Sequence, residues 1–225
     1  MTDDDRGGTL EMVLQEDGDG PASLLAALSR ARSELDRERA AAPALAAELL
    51  ALPPVPREEE LRRDPRFHTW GLCELLLRQS LDAPEPAAAD ELALLALTGA
   101  ERLDPERHPA PVVADLKARI WAAAGEARRR QGDLAGAEEA LRAAAAGLAQ
   151  GTGDLLVEAR LLEFEAAVRR TQGRTREAAA LLKQAAARYR QIGETHHLER
   201  VLADREDVLR EGGQILLPPR SQRSG

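Results

Sequence analysis

Aromatic side chains are scarce in this chain of 225 residues, of which two Phe, two Trp and one Tyr make up 2%. The strands of β-sandwiches and barrels draw on aromatic and β-branched residues, so the scarcity argues against both classes of fold. A platform that stacks nucleic-acid bases needs several exposed rings, and residues 21–52 offer no clear base-reading helix. We therefore expect no nucleic-acid partner.

Cysteine and long apolar runs are also nearly absent. The single Cys73 cannot form an internal disulfide, which favours a reducing compartment. No apolar run approaches the roughly 20 residues that a membrane span needs. The first residues are acidic, whereas a secretory signal begins with basic and then apolar residues. The sequence thus predicts a cytoplasmic protein without a membrane contact.

Negative charge is concentrated at one end of the chain. The net charge is -8, and residues 1–20 account for -6 of it, with seven acidic residues against Arg6. These residues are rich in Asp and Gly and have no helical or strand periodicity, so we predict a disordered acidic leader. Residues 213–225 are predicted to be a disordered tail. The 31 basic residues, 29 of them arginine, lie almost entirely in between.

The chain is rich in Ala, Leu, Glu and Arg, which lose little side-chain freedom in helices. The apolar spacing is helical nearly throughout, interrupted by Gly, Pro and Asp. It predicts an all-α fold that starts with helices at about 21–39, from Pro43 to before Pro53, and from Asp64-Pro65 to Ser80. Six further helices are predicted at 87–103, 112–131, 134–150, 155–172, 175–191 and 195–211, the last ended by Gly212-Gly213.

The second half of the chain repeats itself. Turn glycines recur at Gly132, Gly173 and Gly212, which are 41 and 39 residues apart. Small residues keep the same register, since two pairs of alanines are also 41 residues apart: Ala137 with Ala178, and Ala144 with Ala185. The repeating unit is an antiparallel pair of helices of about 40 residues.

One unit carries a more specific pattern: Trp121-Ala-Ala-Ala-Gly125, then Gly132-Asp133, and then Ala137, Leu141 and Ala144. It resembles the signature of the tetratricopeptide repeat, with Ala124 in place of Leu and Arg128 in place of Tyr. The period near 40 is similar to longer-helix variants of that family, which include repeats of bacterial regulators. The resemblance implies a right-handed α-solenoid of stacked antiparallel helix pairs over residues 66–212, with residues 21–65 as a helical cap. The signature positions, which we interpret as packing contacts and not as ligands, are Trp121, Gly125, Gly132, Ala137, Ala144, Gly173, Ala178 and Ala185.

The resemblance also implies a binding site. In this family the first helices of successive units line a concave groove, and partner contacts fall at set positions of each unit. Guanidinium groups at such positions suit bidentate capture of carboxylate or phosphate, so the implied partner is a protein or peptide of acidic character. The lysine and asparagine pattern of the carboxylate-clamp subgroup is missing, which argues against chaperone tails. The positions that match are Arg119, Glu126, Arg129, Arg130, Arg160, Glu163 and Arg170.

Two alternatives to this site stay open. The charges can instead form a solvated surface that is paired locally, as the proximity of Glu163 to Arg160 suggests. The acidic leader can also fold back on the groove and compete with a partner. A separate feature, Gly71 beside Trp70, indicates either a close helix crossing or a pocket for an apolar side chain of a partner.

No constellation of reactive side chains is visible. His68 and Cys73 are five residues apart and do not share a helix face, and the adjacent His196 and His197 point about 100° apart. With no CxxC or HExxH motif, we expect no metal, no cofactor and no enzymatic activity. Cys73 among leucines is interpreted as a small buried hydrophobe.

The leading functional hypothesis is a non-catalytic interaction module or adaptor that holds a peptide or protein segment in its concave groove. The alternative is a regulatory sensor that binds a short peptide or small ligand and controls transcription or secretion. Homo-oligomer formation stays open.

Overall fold

The computed structural model describes residues 21–215, so the predicted acidic leader and the last ten residues lie outside the described chain. The described residues contain helices and no strand, which confirms the all-α fold class. None of their helices has a stretch long and apolar enough to cross a membrane. The helices are α1 (Pro21–Leu50), α2 (Pro54–Arg63), a short 3-10 helix (Pro65–Phe67), α3 (Trp70–Asp82), α4 (Pro86–Ala100), α5 (Ala110–Gln131), α6 (Leu134–Ala149), α7 (Leu155–Thr171), α8 (Thr175–Ile192) and α9 (Thr195–Ile215).

Local signals explain most helix boundaries. The carboxylate of Asp133 accepts a hydrogen bond from the backbone N–H of Gly136 at 2.9 Å, and so caps the start of α6. Helices α5 and α8 end at Gly132 and Gly193, whose φ angles of +83° and +76° lie in the left-handed region that glycine adopts without steric cost. The helix ends predicted at these glycines are therefore observed.

Two predicted helix boundaries are wrong. We expected a break before Pro43, but α1 continues through it to Leu50. Ala42, Ala46 and Leu49 are buried on one face there, and this packing outweighs the hydrogen bond that a proline removes. We also expected one helix from Asp64-Pro65 to Ser80, whereas Asp64 caps only the 3-10 helix.

The last helix is longer than predicted. Gly212-Gly213 does not end α9, which runs to Ile215, so the predicted tail begins inside a helix. A Cβ atom at Gly212 would lie 2.8 Å from the side-chain oxygen of Thr175. Glycine at this position therefore allows α9 to approach the start of α8, and the packing offsets the low helix propensity of glycine.

Neighbouring helices alternate in direction. Helices α5 and α6 are antiparallel, because Ala118 lies beside Gly147 while the later Gly125 lies beside the earlier Ala140. All consecutive pairs from α3 to α9 pack against each other, and α1 packs on α3. The core is therefore built by short-range packing along the chain.

The odd-numbered helices also contact one another: α1 with α3, α3 with α5, and α5 with α7. Helices α5 and α7 run in the same direction, since Gly125 faces Phe164 and, further along, Arg129 donates to the hydroxyl of Thr171 at 3.1 Å. Trp121 of α5 is half-buried and packs against two core clusters, one formed by residues of α1 to α5 and the other by residues of α6 and α7. Contacts between alternate helices thus run without a break from α1 to α7.

Close approach between helices depends on small residues. A Cβ atom on Gly71 would lie 2.5 Å from the backbone carbonyl of Glu38 in α1. Phe67 is fully buried and the ring of Trp70 stacks on His108 at 5.5 Å, which favours a close helix crossing over a recognition pocket. Five small residues of the predicted signature are buried: Gly125, Ala137, Ala144, Ala178 and Ala185.

Candidate functional site

A groove of about 830 Å³ lies between α3, α5, α7 and α9, with α8 behind them. Both apolar and charged side chains line it, and we call the apolar ones its floor and the charged ones its walls. Five arginines and four carboxylates line it, which gives a site with mixed charge and one excess cation. The apolar residues include Leu77, Leu81, Val157, Leu161, Phe164, Leu182 and Val208, and the charged ones are Arg119, Glu126, Arg129, Arg160, Glu163, Arg170, Arg200, Asp204 and Glu211.

Six of the seven residues that we predicted for the groove line this cavity; Arg130 does not. The guanidinium of Arg130 donates to the backbone carbonyl of Ala83 at 3.2 Å and to that of Pro84. It thereby ties the end of α5 to the connection between α3 and α4. The placement of Arg130 in the groove is corrected accordingly: helical spacing directs it away from the cavity and towards a loop.

Some groove arginines are neutralised by carboxylates. Arg129 forms two hydrogen bonds with Glu126, at 2.7 and 2.6 Å, and these raise the pKa of Arg129. Arg170 pairs with Glu211 of α9, with one hydrogen bond at 3.0 Å, and its pKa is likewise raised by that bond. For these two arginines the alternative of a locally paired surface accounts for the charge.

Glu163 does not pair with Arg160, as the sequence suggested. One of its oxygens accepts a hydrogen bond from the hydroxyl of Tyr189, and the other lies 2.6 Å from a guanidinium nitrogen of Arg200. Tyr189 is fully buried, and its burial and its bond to Glu163 together raise the pKa of the phenol. Glu163 is therefore fixed in place by two helices that follow it in the chain.

Arg119 and Arg160 remain without a hydrogen bond or ion pair to any residue within 21–215. Arg119 is half-buried and Arg160 is exposed. Burial lowers the pKa of Arg119, and the like charge of Arg160 lowers it further, while Glu74 and two aspartates act more weakly in the opposite direction. The two guanidinium groups thus line the groove as neighbouring cations to which the described residues give no direct counter-ion.

The reactive side chains considered in the sequence lie elsewhere. The ring of His68 bonds to the carbonyl of Leu61 at 2.8 Å, and Cys73 is 1% exposed. Burial raises the pKa of the Cys73 thiol to about 12, with a smaller effect from the charge of Glu38. His197 stacks on Tyr189. Within the described part of the chain, no group of three or more His, Cys, Asp or Glu residues is arranged to hold a metal ion.

The residues that α9 contributes to the groove were not predicted, although the sequence contains a signal for them. The predicted groove residues end with the unit that contains Arg160, but the repeat spacing goes beyond that unit. Continued by one further unit, it leads from Arg160 to Arg200 after 40 residues, and from Glu163 to Asp204 and Arg170 to Glu211 after 41. Each of these α9 residues lines the groove.

The groove can hold an extended segment on its apolar floor and an anionic group at Arg119 and Arg160. Planar guanidinium groups bind carboxylates in a bidentate manner, and they do so more strongly where water is partly excluded. No protein-family model matches this chain, and neither does any curated protein or any solved structure.

Proposed function

We propose that this protein is a non-catalytic interaction module that binds an acidic segment of a partner protein in the groove between α3, α5, α7 and α9. The observation that carries the proposal is a pair of arginines that line the groove, Arg119 and Arg160, for which residues 21–215 supply no counter-ion. The other groove arginines are already neutralised by carboxylates. An incoming carboxylate therefore meets its strongest attraction at this pair.

The energetics favour an anionic ligand. Arg119 is half-buried and repelled by Arg160, so its charge is poorly stabilised in the free protein. A carboxylate placed between the two groups would replace repulsion by attraction and form hydrogen bonds worth roughly 1.5–3 kcal/mol each. The apolar floor adds a second contribution, because Leu81 is 59% exposed and would be covered by a ligand.

We further propose that residues 66–212 are tetratricopeptide-like repeats stacked as a right-handed α-solenoid, capped by residues 21–65. Support comes from antiparallel neighbours, from the parallel α5 and α7, and from the close contact of Gly125 with Phe164. In such a stack the first helix of each unit lines the concave face, and α3, α5, α7 and α9 are those helices. This is the arrangement expected of an adaptor.

The test is binding of fluorescein-labelled acidic peptides to the full chain, measured by anisotropy at several salt concentrations. We expect one peptide or more to bind, and Arg119→Gln or Arg160→Gln to weaken that binding about tenfold, the loss of one charged hydrogen bond. Arg142→Gln is the matched control, because Arg142 is exposed on α6 and lies outside the groove. Equal weakening by all three substitutions would show a non-specific charge effect and contradict the proposal.

A small-ligand sensor is the second candidate, favoured by one observation. The groove volume of about 830 Å³ falls in the range of about 300–1,000 Å³ that is typical of small-molecule sites. A sensor would bind a small di- or tricarboxylate saturably and melt at a higher temperature in its presence. A shift of the melting temperature that Arg119→Gln removes, without any peptide binding, would favour the sensor over the adaptor.

A further inference from the structure

We propose that residues 1–20 of the same chain occupy the groove at Arg119 and Arg160 and compete there with the partner. This inference rests on the proposed function, because it names what regulates the same site. Its occupant is the acidic N-terminal segment, and three observations support it: charge, apolar pattern and reach.

The first observation is charge complementarity. Residues 1–20 hold seven acidic residues and one basic residue, whereas the rest of the chain has a net charge of only -2. Arg119 and Arg160 are the two groove cations without a counter-ion among residues 21–215. The most acidic segment of the sequence thus belongs to the same chain as these two arginines.

The second observation is the order of residues within the segment. The stretch Leu10-Glu-Met-Val-Leu14 is mainly apolar and stands between the acidic runs at 3–5 and 16–17. The groove matches this order, because it offers an apolar floor for the apolar stretch and two cations for acidic residues beside it. Burial of such a stretch would gain roughly 25 cal/mol for each Å² of apolar surface removed from water.

The third observation is geometric reach. Glu38 of α1 accepts a hydrogen bond from the backbone N–H of Trp70 at 2.7 Å, at the start of α3. Residues 21–37 therefore extend past α3 by about 26 Å at 1.5 Å per residue, and the side chains of residues 25–34 are exposed. Residues 3–5 stand 16–18 residues before Pro21 and reach up to roughly 60 Å from it when the chain is extended, so this acidic run can return to the groove. Residues 16–17 reach only about 15 Å and remain outside it.

Tethering makes even a weak contact effective. At an effective concentration on the order of 1 mM, a tethered segment with a dissociation constant of about 100 µM would occupy the groove in roughly ten of eleven molecules. A partner would then bind about tenfold more weakly than to an empty groove. Loss of the acidic residues in the segment should relieve this competition.

The test uses the full chain and the free synthetic peptide of residues 1–20, labelled with fluorescein, as the probe. The variant Asp3→Asn/Asp4→Asn/Asp5→Asn removes three charges from the acidic run that is far enough from Pro21 to return to the groove. The matched control, Glu59→Gln/Glu106→Gln/Glu139→Gln, removes three charges from exposed residues that do not line the groove. We expect the first variant to bind the probe five- to tenfold more tightly than the natural chain, the control to change affinity less than twofold, and Arg119→Gln to cancel the gain.

Three other outcomes would overturn the proposal. If the natural chain and the first variant bind the probe equally, and Arg119→Gln weakens both, self-occupancy is overturned while the proposed function stands. If the probe binds no chain, self-occupancy is overturned and the peptide survey decides the proposed function separately. If light scattering shows a dimer of the natural chain that the triple substitution dissociates, the occupant is a second copy and the intramolecular contact is overturned.

Discussion

Substitution of Gly125 by alanine tests how closely α5 approaches α7. A Cβ atom at this position would overlap the Cζ atom of Phe164, and would lie 2.8 Å from its Cε1 atom and 3.0 Å from the Cβ atom of Ala140. Carbon atoms in favourable contact are about 3.5–4.0 Å apart, so the Phe164 ring must move by about 1 Å. Overpacking of this kind costs about 1–3 kcal/mol. Phe164 also lines the groove, so displacement of its ring would change the shape of the groove.

The helix propensity of alanine opposes this cost, and Gly213 provides the matched control. Gly213 lies in α9, and a Cβ atom there would have no other atom within 4 Å. Gly213→Ala should therefore stabilise the protein by up to about 1 kcal/mol. Gly125→Ala gains the same propensity but bears the overlap, so it should be less stable than Gly213→Ala by about 1–3 kcal/mol.

Urea unfolding followed by circular dichroism measures the difference as a shift of the midpoint at constant m-value. The double variant Gly125→Ala/Phe164→Leu should recover part of the loss, because leucine lacks the ring atoms that overlap. Equal stabilisation by Gly125→Ala and Gly213→Ala would refute the close contact between α5 and α7. So would strict additivity of Gly125→Ala and Phe164→Leu, since contacting residues must couple.

Gly71→Ala places a Cβ atom 2.5 Å from the backbone of α1, which cannot rotate away, so we expect a loss of about 3 kcal/mol and faster amide exchange in α1. Trp121→Ala should cost about 3 kcal/mol in urea unfolding, near the low end for tryptophan because the ring is half-buried. With a pKa raised to about 12, the Cys73 thiol stays protonated until well above pH 8, so Ellman's reagent should react at least about a hundredfold more slowly with native than with urea-unfolded protein; equal rates would contradict its burial. Arg160→Glu should pair with Arg119 and leave stability unchanged or raised by up to about 1 kcal/mol, while abolishing acidic-peptide binding; retained binding would argue against the arginine site.

The fold class and most helix boundaries could be predicted because they depend on local signals. Gly132 and Gly193 end helices in the left-handed conformation that their lack of a side chain permits. The predictions at Pro43 and Gly212 are wrong because tertiary packing decides there. Proline and glycine each lower the local stability of a helix. The burial of Leu49 and the approach of α9 to α8 outweigh that local cost.

The groove was partly predictable because a repeat places equivalent residues on one face. What the sequence could not show was which charges are neutralised. Glu163 is three residues from Arg160 in sequence, yet it binds Arg200 and Tyr189, which belong to later helices. Arg130 follows Arg129 directly, yet it bonds to the loop after α3. Pairing depends on the neighbouring helix, and spacing within one helix does not determine it.

The unneutralised pair stands out against the rest of the groove. Where α7 meets α9, facing residues have opposite charges, as in Arg170 with Glu211, which is what stability alone would favour. Where α5 meets α7, Arg119 and Arg160 repel each other, and neither is required to fill the core. An arrangement that places like charges next to each other without a gain in packing is typical of a functional site. Under the proposed function, an anion bound between the two groups would relieve the repulsion, and the free energy that the fold gives up at this wall would be recovered as affinity for the acidic ligand.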